Sequence, residues 1–150
     1  MRDEDYQYVS GDTSRAHSCA YRENRVFARG VVGSNNITKG DESDLEAALA
    51  TEGPVAIAFK VVPDFRDYAS GVYSSDDCAA DSLSVNHAVL ATGYGVEDGM
   101  PYYDVKNSWS YTWGNGGYFR ILRGGGSSQQ DTGMCGLAEC NSFPKFAAAN

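Results

Sequence analysis

One helix-forming stretch followed by four strand-forming ones limits this chain to few folds. Asp41 or Ser43 can cap the helix, and Ser43-Asp44-Leu45-Glu46 has the form of a capping box. Leu45, Ala48 and Leu49 share one face at helical spacing, and Gly53-Pro54 ends the element. Pro54 to Val62 is apolar, β-branched and partly alternating, so a strand is predicted there. Pro63 to Tyr68 is predicted as a short helical turn. Further strands are predicted over Val85 to Tyr94, buried on both sides, over Pro101 to Ser108 and over Tyr118 to Arg123, with a turn at Gly95 to Gly99. Residues 1–35 read as polar and irregular apart from Val26-Phe27-Ala28, and the Ser/Gln/Gly-rich segment Gly124 to Gly133 as a mobile loop. With no internal repeat and no linker, residues 1–150 form one α+β domain built on a partly closed antiparallel barrel.

Composition narrows the functions available. The net charge of -8 argues against nucleic acid and anionic membranes, because phosphate binding needs a basic face. No segment approaches the roughly 20 apolar residues that span a bilayer. The charged start Met1-Arg2-Asp3-Glu4-Asp5-Tyr6 has no secretory core, yet four cysteines and the sequon Asn36-Ile37-Thr38 have a secretory-pathway character. A single sequon also arises by chance. The mismatch between that character and the absent signal hints at a truncated chain. Metal binding is disfavoured, since no two cysteines have CxxC spacing, and His17 beside Cys19 reads as solvated.

The chemistry concentrates in Val85-Asn86-His87-Ala88-Val89 and Lys106-Asn107-Ser108-Trp109, each within an apolar, strand-like run. A histidine oriented by an asparagine is a common way to serve a cysteine nucleophile. Several further phrases, in order along the chain, make the pattern specific. Val85-Asn86-His87-Ala88-Val89-Leu90-Ala91-Thr92-Gly93-Tyr94-Gly95, Val105-Lys106-Asn107-Ser108-Trp109 and Trp113-Gly114-Asn115-Gly116-Gly117-Tyr118-Phe119 resemble the papain-like cysteine peptidases. Met134-Cys135-Gly136-Leu137-Ala138-Glu139-Cys140, Gly71-Val72-Tyr73-Ser74-Ser75 and the sequon are most similar to the cathepsin H and aleurain branch. The resemblance covers about residues 5–144 and implies the right-hand barrel domain, with the left-hand helical domain absent. Asp5-Tyr6-Gln7-Tyr8 looks like the Tyr-Pro-Tyr segment near the domain crossing, with Gln7 in place of proline.

The resemblance implies roles residue by residue. His87 is the general base and acid, and Asn107 orients it by accepting the Nδ1 proton, which leaves Nε2 for the sulfur. Trp109 and Trp113 cover that hydrogen bond and exclude water, and Trp113 also borders the leaving-group side of the substrate. Ala58 and Val85 give an apolar lining on the acyl side. Asn86 and Cys140 complete the expected substrate-facing set. Ser110 stands where relatives carry glycine.

Family members place the histidine roughly 130–150 residues after the nucleophile, which puts that cysteine roughly 40–65 residues before Met1. None of Cys19, Cys78, Cys135 and Cys140 has the nucleophile's surrounding phrase. The resemblance pairs Cys78 with Cys135, leaves Cys19 without its left-hand-domain partner, and gives Cys140 to a propeptide-derived mini-chain that favours aminopeptidase action. Peptide or protein substrates, no cofactor, and a lysosomal, vacuolar or extracellular site for the full protein follow from it. A competing reading is a non-catalytic module that keeps the cleft wall to bind peptides or a partner. An acyl or amide transferase using cysteine, histidine and asparagine fits the phrases less well.

Overall fold

The computed structural model describes residues 3–9, 13–26, 30–78, 85–124 and 132–147. Residues 125–131, most of the loop expected to be mobile, lie outside them, as do Phe27 and Ala28. Two compact units are present, Ser34–Pro144 and a smaller one of Met1–Gly33 with Lys145–Asn150.

The smaller unit is the irregular segment the composition suggests. Short 3₁₀ turns lie at Asp3–Asp5 and Glu23–Arg25, and Val9 and Thr13 are also helical. An Arg25–Asp5 ion pair at 2.8 Å crosses it, and the Ala20 N–H donates to the Tyr6 hydroxyl at 3.2 Å.

The larger unit holds the helix and most of the sheet. Helix α1 is Glu42–Thr51. Asp41 is its cap, accepting the Asp44 N–H at 3.0 Å, so the box starting at Ser43 is not used. Asp44 accepts the Thr38 N–H at 2.8 Å instead, which holds its carboxyl below the usual 3.8. Leu45 and Ala48 are buried against the core, as their spacing requires.

Seven strands make the sheet: β1 Val31–Asn36, β2 Val55–Phe59, β3 Val72–Tyr73, β4 His87–Glu97, β5 Met100–Lys106, β6 Tyr118–Leu122 and β7 Ser142–Phe146, in the spatial order β1-β7-β2-β4-β5-β6-β3. The α+β class is as expected, with two corrections. The sheet is open rather than partly closed, and its β3–β6 pair is parallel while β2–β4, β4–β5 and β5–β6 are antiparallel. Strands β1, β3 and β7 carry no sequence signal that would reveal them: β1 is exposed throughout, β3 has two residues and β7 contains Pro144.

Strand β4 also differs from expectation. It starts at His87, not Val85, and runs on through Gly95 to Glu97. The turn is the dipeptide Asp98-Gly99, with φ of 50° and 81°. Both residues are left-handed, the geometry a two-residue hairpin needs, so the chain reverses there rather than across Gly95–Gly99. Only Val89 and Ala91 of β4 are buried; beyond them Tyr94 and Val96 are exposed, so this strand is not covered on both faces. Register shifts between Ala91 and Gly93, leaving Thr92 as a bulge whose hydroxyl donates to the Asp104 carbonyl at 3.2 Å.

Candidate active site

The register of β2 on β4 places the site. Phe59 lies opposite His87, and their rings meet edge to face with centroids 5.8 Å apart. Phe59 is fully buried and touches Phe65 and Phe119, so the imidazole stands on the rim of an aromatic core. Asn107 follows the last residue of β5 and is itself buried. Leu90 pairs with Lys106, which brings the start of β4 and the end of β5 together.

His87 Nε2 and Asn107 Oδ1 are 2.9 Å apart. An amide oxygen only accepts, so Nε2 carries the proton and donates it. The expectation from sequence is thereby corrected at the atomic level: Nε2, not Nδ1, is held by Asn107, and Nδ1 is the remaining nitrogen. Asn107 Oδ1 also accepts the Ser108 N–H at 2.7 Å, which fixes the carboxamide to its own backbone. The Asn107 Nδ2 is buried without a protein partner.

Trp109 lies over the imidazole, with centroids 5.0 Å apart and planes 33° apart. Phe65 and Trp113 hold Trp109 in turn, at 5.6 Å and 5.1 Å. Trp113 donates its indole N–H to the Arg66 carbonyl at 2.9 Å. Trp109 is thus the direct cover of the histidine, and Trp113 braces that cover from behind.

Ser110 has φ of 78°, a left-handed backbone that an L side chain adopts at a cost. Glycine adopts this geometry at the least cost. The Ser110 hydroxyl, 3.3 Å from that of Thr112, compensates in part. Ser110→Gly is expected to stabilise the fold by about 1 kcal/mol, read as a raised denaturant midpoint.

A cleft of about 370 Å³ opens beside His87, lined by Val61, Val62, Pro63, Arg66, Asn86, His87 and Trp109. Of the substrate-facing residues expected from sequence, Asn86 alone lines it. Its carboxamide is already engaged, accepting the Val61 N–H at 2.8 Å and donating to the Val61 carbonyl at 3.1 Å. Asn86 therefore ties the end of β2 to the segment leading into His87. Ala58 pairs with Ala88, on the sheet face opposite the one where Phe59 meets His87. Val85 and Trp113 are half-buried and Cys140 is exposed; none of these three lines the cleft. Arg66 and Val61 escape sequence reading because a 3₁₀ turn at Pro63–Asp67 and an Asn86 clamp place them, and neither carries a periodic pattern.

Cys78 and Cys135 form a disulfide, while Cys19 and Cys140 are free thiols. Among the described residues no group of three acidic, histidine or cysteine side chains is placed to hold a metal ion, and no helix is long and apolar enough to cross a membrane.

An open sheet with one covering helix, carrying a histidine fixed by an asparagine under a tryptophan, is the right-hand half of a papain-like architecture. The Papain family cysteine protease profile matches residues 1–145. The chain belongs to that family. It is 47% identical over 129 residues to the Pro-cathepsin H of Medicago truncatula, a match covering 86% of this chain and 35% of that protein. With the thiol protease aleurain of Arabidopsis thaliana it shares 44% over 135 residues, 90% of this chain and 36% of the other. Among solved structures, digestive procathepsin L 3 from the larval midgut of Tenebrio molitor superimposes with a TM-score of 0.82 at 30% identity, covering 96% of this chain and 43% of that one. The chain thus spans about a third of the length of these two curated relatives.

Proposed function

We propose that this chain supplies the acid–base half of a thiol peptidase site. His87 is the imidazole that forms an ion pair with a thiolate and then protonates the leaving amine, and Asn107 is the residue that positions it. The observation that carries this reading is the 2.9 Å contact between His87 Nε2 and Asn107 Oδ1, sheltered by Trp109. With Nε2–H committed to Asn107, the proton shuttles through Nδ1, which is the atom the sulfur must approach.

The cysteine is to come from polypeptide outside these 150 residues. Cys78 and Cys135 are consumed by their disulfide, and Cys19 and Cys140 lack the sequence context of a nucleophile. The glutamine and nucleophile N–H that stabilise an oxyanion belong to the same outside segment. Losing even one such donor costs about 3 kcal/mol of transition-state stabilisation. Peptide or protein substrates follow from the family. A lysosomal or vacuolar compartment, or secretion, suits a chain with a disulfide. Cys140, as an exposed free thiol, is available to hold a propeptide-derived mini-chain and so favour aminopeptidase action.

Two measurements test this. The purified 150-residue chain is expected to show no turnover of a fluorogenic dipeptidyl substrate, and joining it to a left-hand domain with an N-terminal cysteine is expected to restore turnover that a thiol-alkylating reagent abolishes. Inhibitor-sensitive turnover by the chain alone would refute the assignment of the nucleophile. In the joined enzyme, Asn107→Asp is expected to raise the imidazole pKa, because the new carboxylate favours the charged ring. The alkaline limb of the kcat/KM profile then moves to higher pH. An unshifted limb would remove Asn107 from its positioning role.

A further inference from the structure

We infer that the cleft beside His87 selects a carboxylate on the leaving-group side of the substrate, and that Arg66 sets this preference. The side of the substrate rests on the peptidase reading above; the carboxylate preference rests on the cleft itself. His87 gives its proton to the departing amine, so the residue carrying that amine is the one that lies along the imidazole.

Among the described residues, Arg66 is the only permanently charged one lining the cleft. Its guanidinium lies over Trp109, 5.8 Å from the ring centroid, and its carbonyl accepts the Trp113 indole N–H at 2.9 Å. Backbone and head group are therefore both anchored to the tryptophans that cover His87, which directs the cation to the catalytic side of the 3₁₀ turn. Among the described residues Arg66 forms no ion pair and no carboxylate lines the cleft. The nearby Asp64 is turned away, accepting the Tyr73 hydroxyl at 3.0 Å. A planar guanidinium over a tryptophan, with donors uncommitted among the described residues, is suited to a two-pronged contact with a carboxylate. Val61, Val62 and Pro63 offer an apolar wall for the methylenes of a glutamate side chain. The carboxylate can belong to an acidic side chain or to a peptide C-terminus, and both present the same group.

Binding can be read on the isolated chain, with no need of the nucleophile. The isotope-labelled chain is titrated with acetyl-glutamate methylamide, with neutral acetyl-glutamine methylamide, and with acetyl-glutamine as its free acid, following the Trp109 indole N–H. The glutamate probe is expected to bind about fivefold more tightly than the neutral probe, the size of an exposed ion pair with good geometry. Tight binding of the free-acid probe instead would assign the preference to a chain terminus. Arg66→Gln, which keeps the carbonyl that Trp113 uses, is expected to erase the difference, and added salt to reduce it. Equal binding of all three probes, or a preference that survives Arg66→Gln, overturns the inference and leaves the peptidase reading standing. A joined enzyme without thiol-dependent turnover would overturn the peptidase reading and leave the measured carboxylate binding intact.

Discussion

His87→Ala in the joined enzyme is expected to lower kcat/KM by about 10⁴-fold while leaving the fold intact. Two steps depend on the same ring. Without the imidazolium the thiol loses the partner that keeps it ionised, and without a donor the amine departs as a poor leaving group. A loss of 10⁴ corresponds to about 5 kcal/mol of transition-state stabilisation. The fold should survive because His87 is half-buried at the start of β4, with one edge contact to Phe59 and one face under Trp109. Denaturant midpoints of the variant and parent, measured beside the kinetics, separate lost chemistry from lost structure. A folded variant within tenfold of the parent would rule out His87 as the acid–base group.

Removing the Cys78–Cys135 bridge has the largest expected effect on stability. Cys78→Ala with Cys135→Ala is expected to destabilise the chain by about 4 kcal/mol, the chain-entropy cost of opening a loop of this length. The two cysteines are 57 positions apart, and both are buried. The bridge spans β4, β5 and β6, so it restrains an unfolded chain across three of the seven strands. It also seats the segment around Met134–Gly136, whose Cys135 carbonyl accepts the Lys60 N–H at 2.8 Å just beyond β2. Alanine keeps the site apolar and avoids adding buried hydroxyls. Reducing the parent protein should move its denaturant midpoint by a similar amount. A change below about 1 kcal/mol would show that the unfolded chain is already compact around this loop.

Much of the architecture was legible locally. The Leu45 and Ala48 spacing reported a helix face, and the β-branched runs reported β2, β4, β5 and β6, because these signals repeat within a short window. Elements without such repetition were missed. Strand β3 exists because β6 offers it an edge, with Val72 opposite Arg120 and Tyr73 opposite Ile121. The end of β4 was placed too early because Gly95 reads as a breaker. In the fold it is a strand position opposite Tyr102, whose ring fills the space a Cβ would need, and Asp98-Gly99 makes the turn.

The site divides in the same way. His87, Asn107 and Trp109 could be named from their phrases, and the structure brings all three together. Which ring nitrogen meets Asn107 could not be read from them, since it depends on how the imidazole lies between Phe59 and Trp109. The same limit hid the Asn86 clamp on Val61, which consumes a carboxamide expected to face substrate.

The linear order of residues determined by itself the family, the helix Glu42–Thr51, the main strands and the phrases that carry His87 and Asn107, because each rests on residue types at short, fixed spacings. The tertiary structure alone decided that Nε2 is the nitrogen held by Asn107, that Asn86 serves the backbone, and that Arg66 stands in the cleft. Those outcomes depend on side-chain direction, and direction follows from strand register between segments 20 or more residues apart, as between His87 and Asn107.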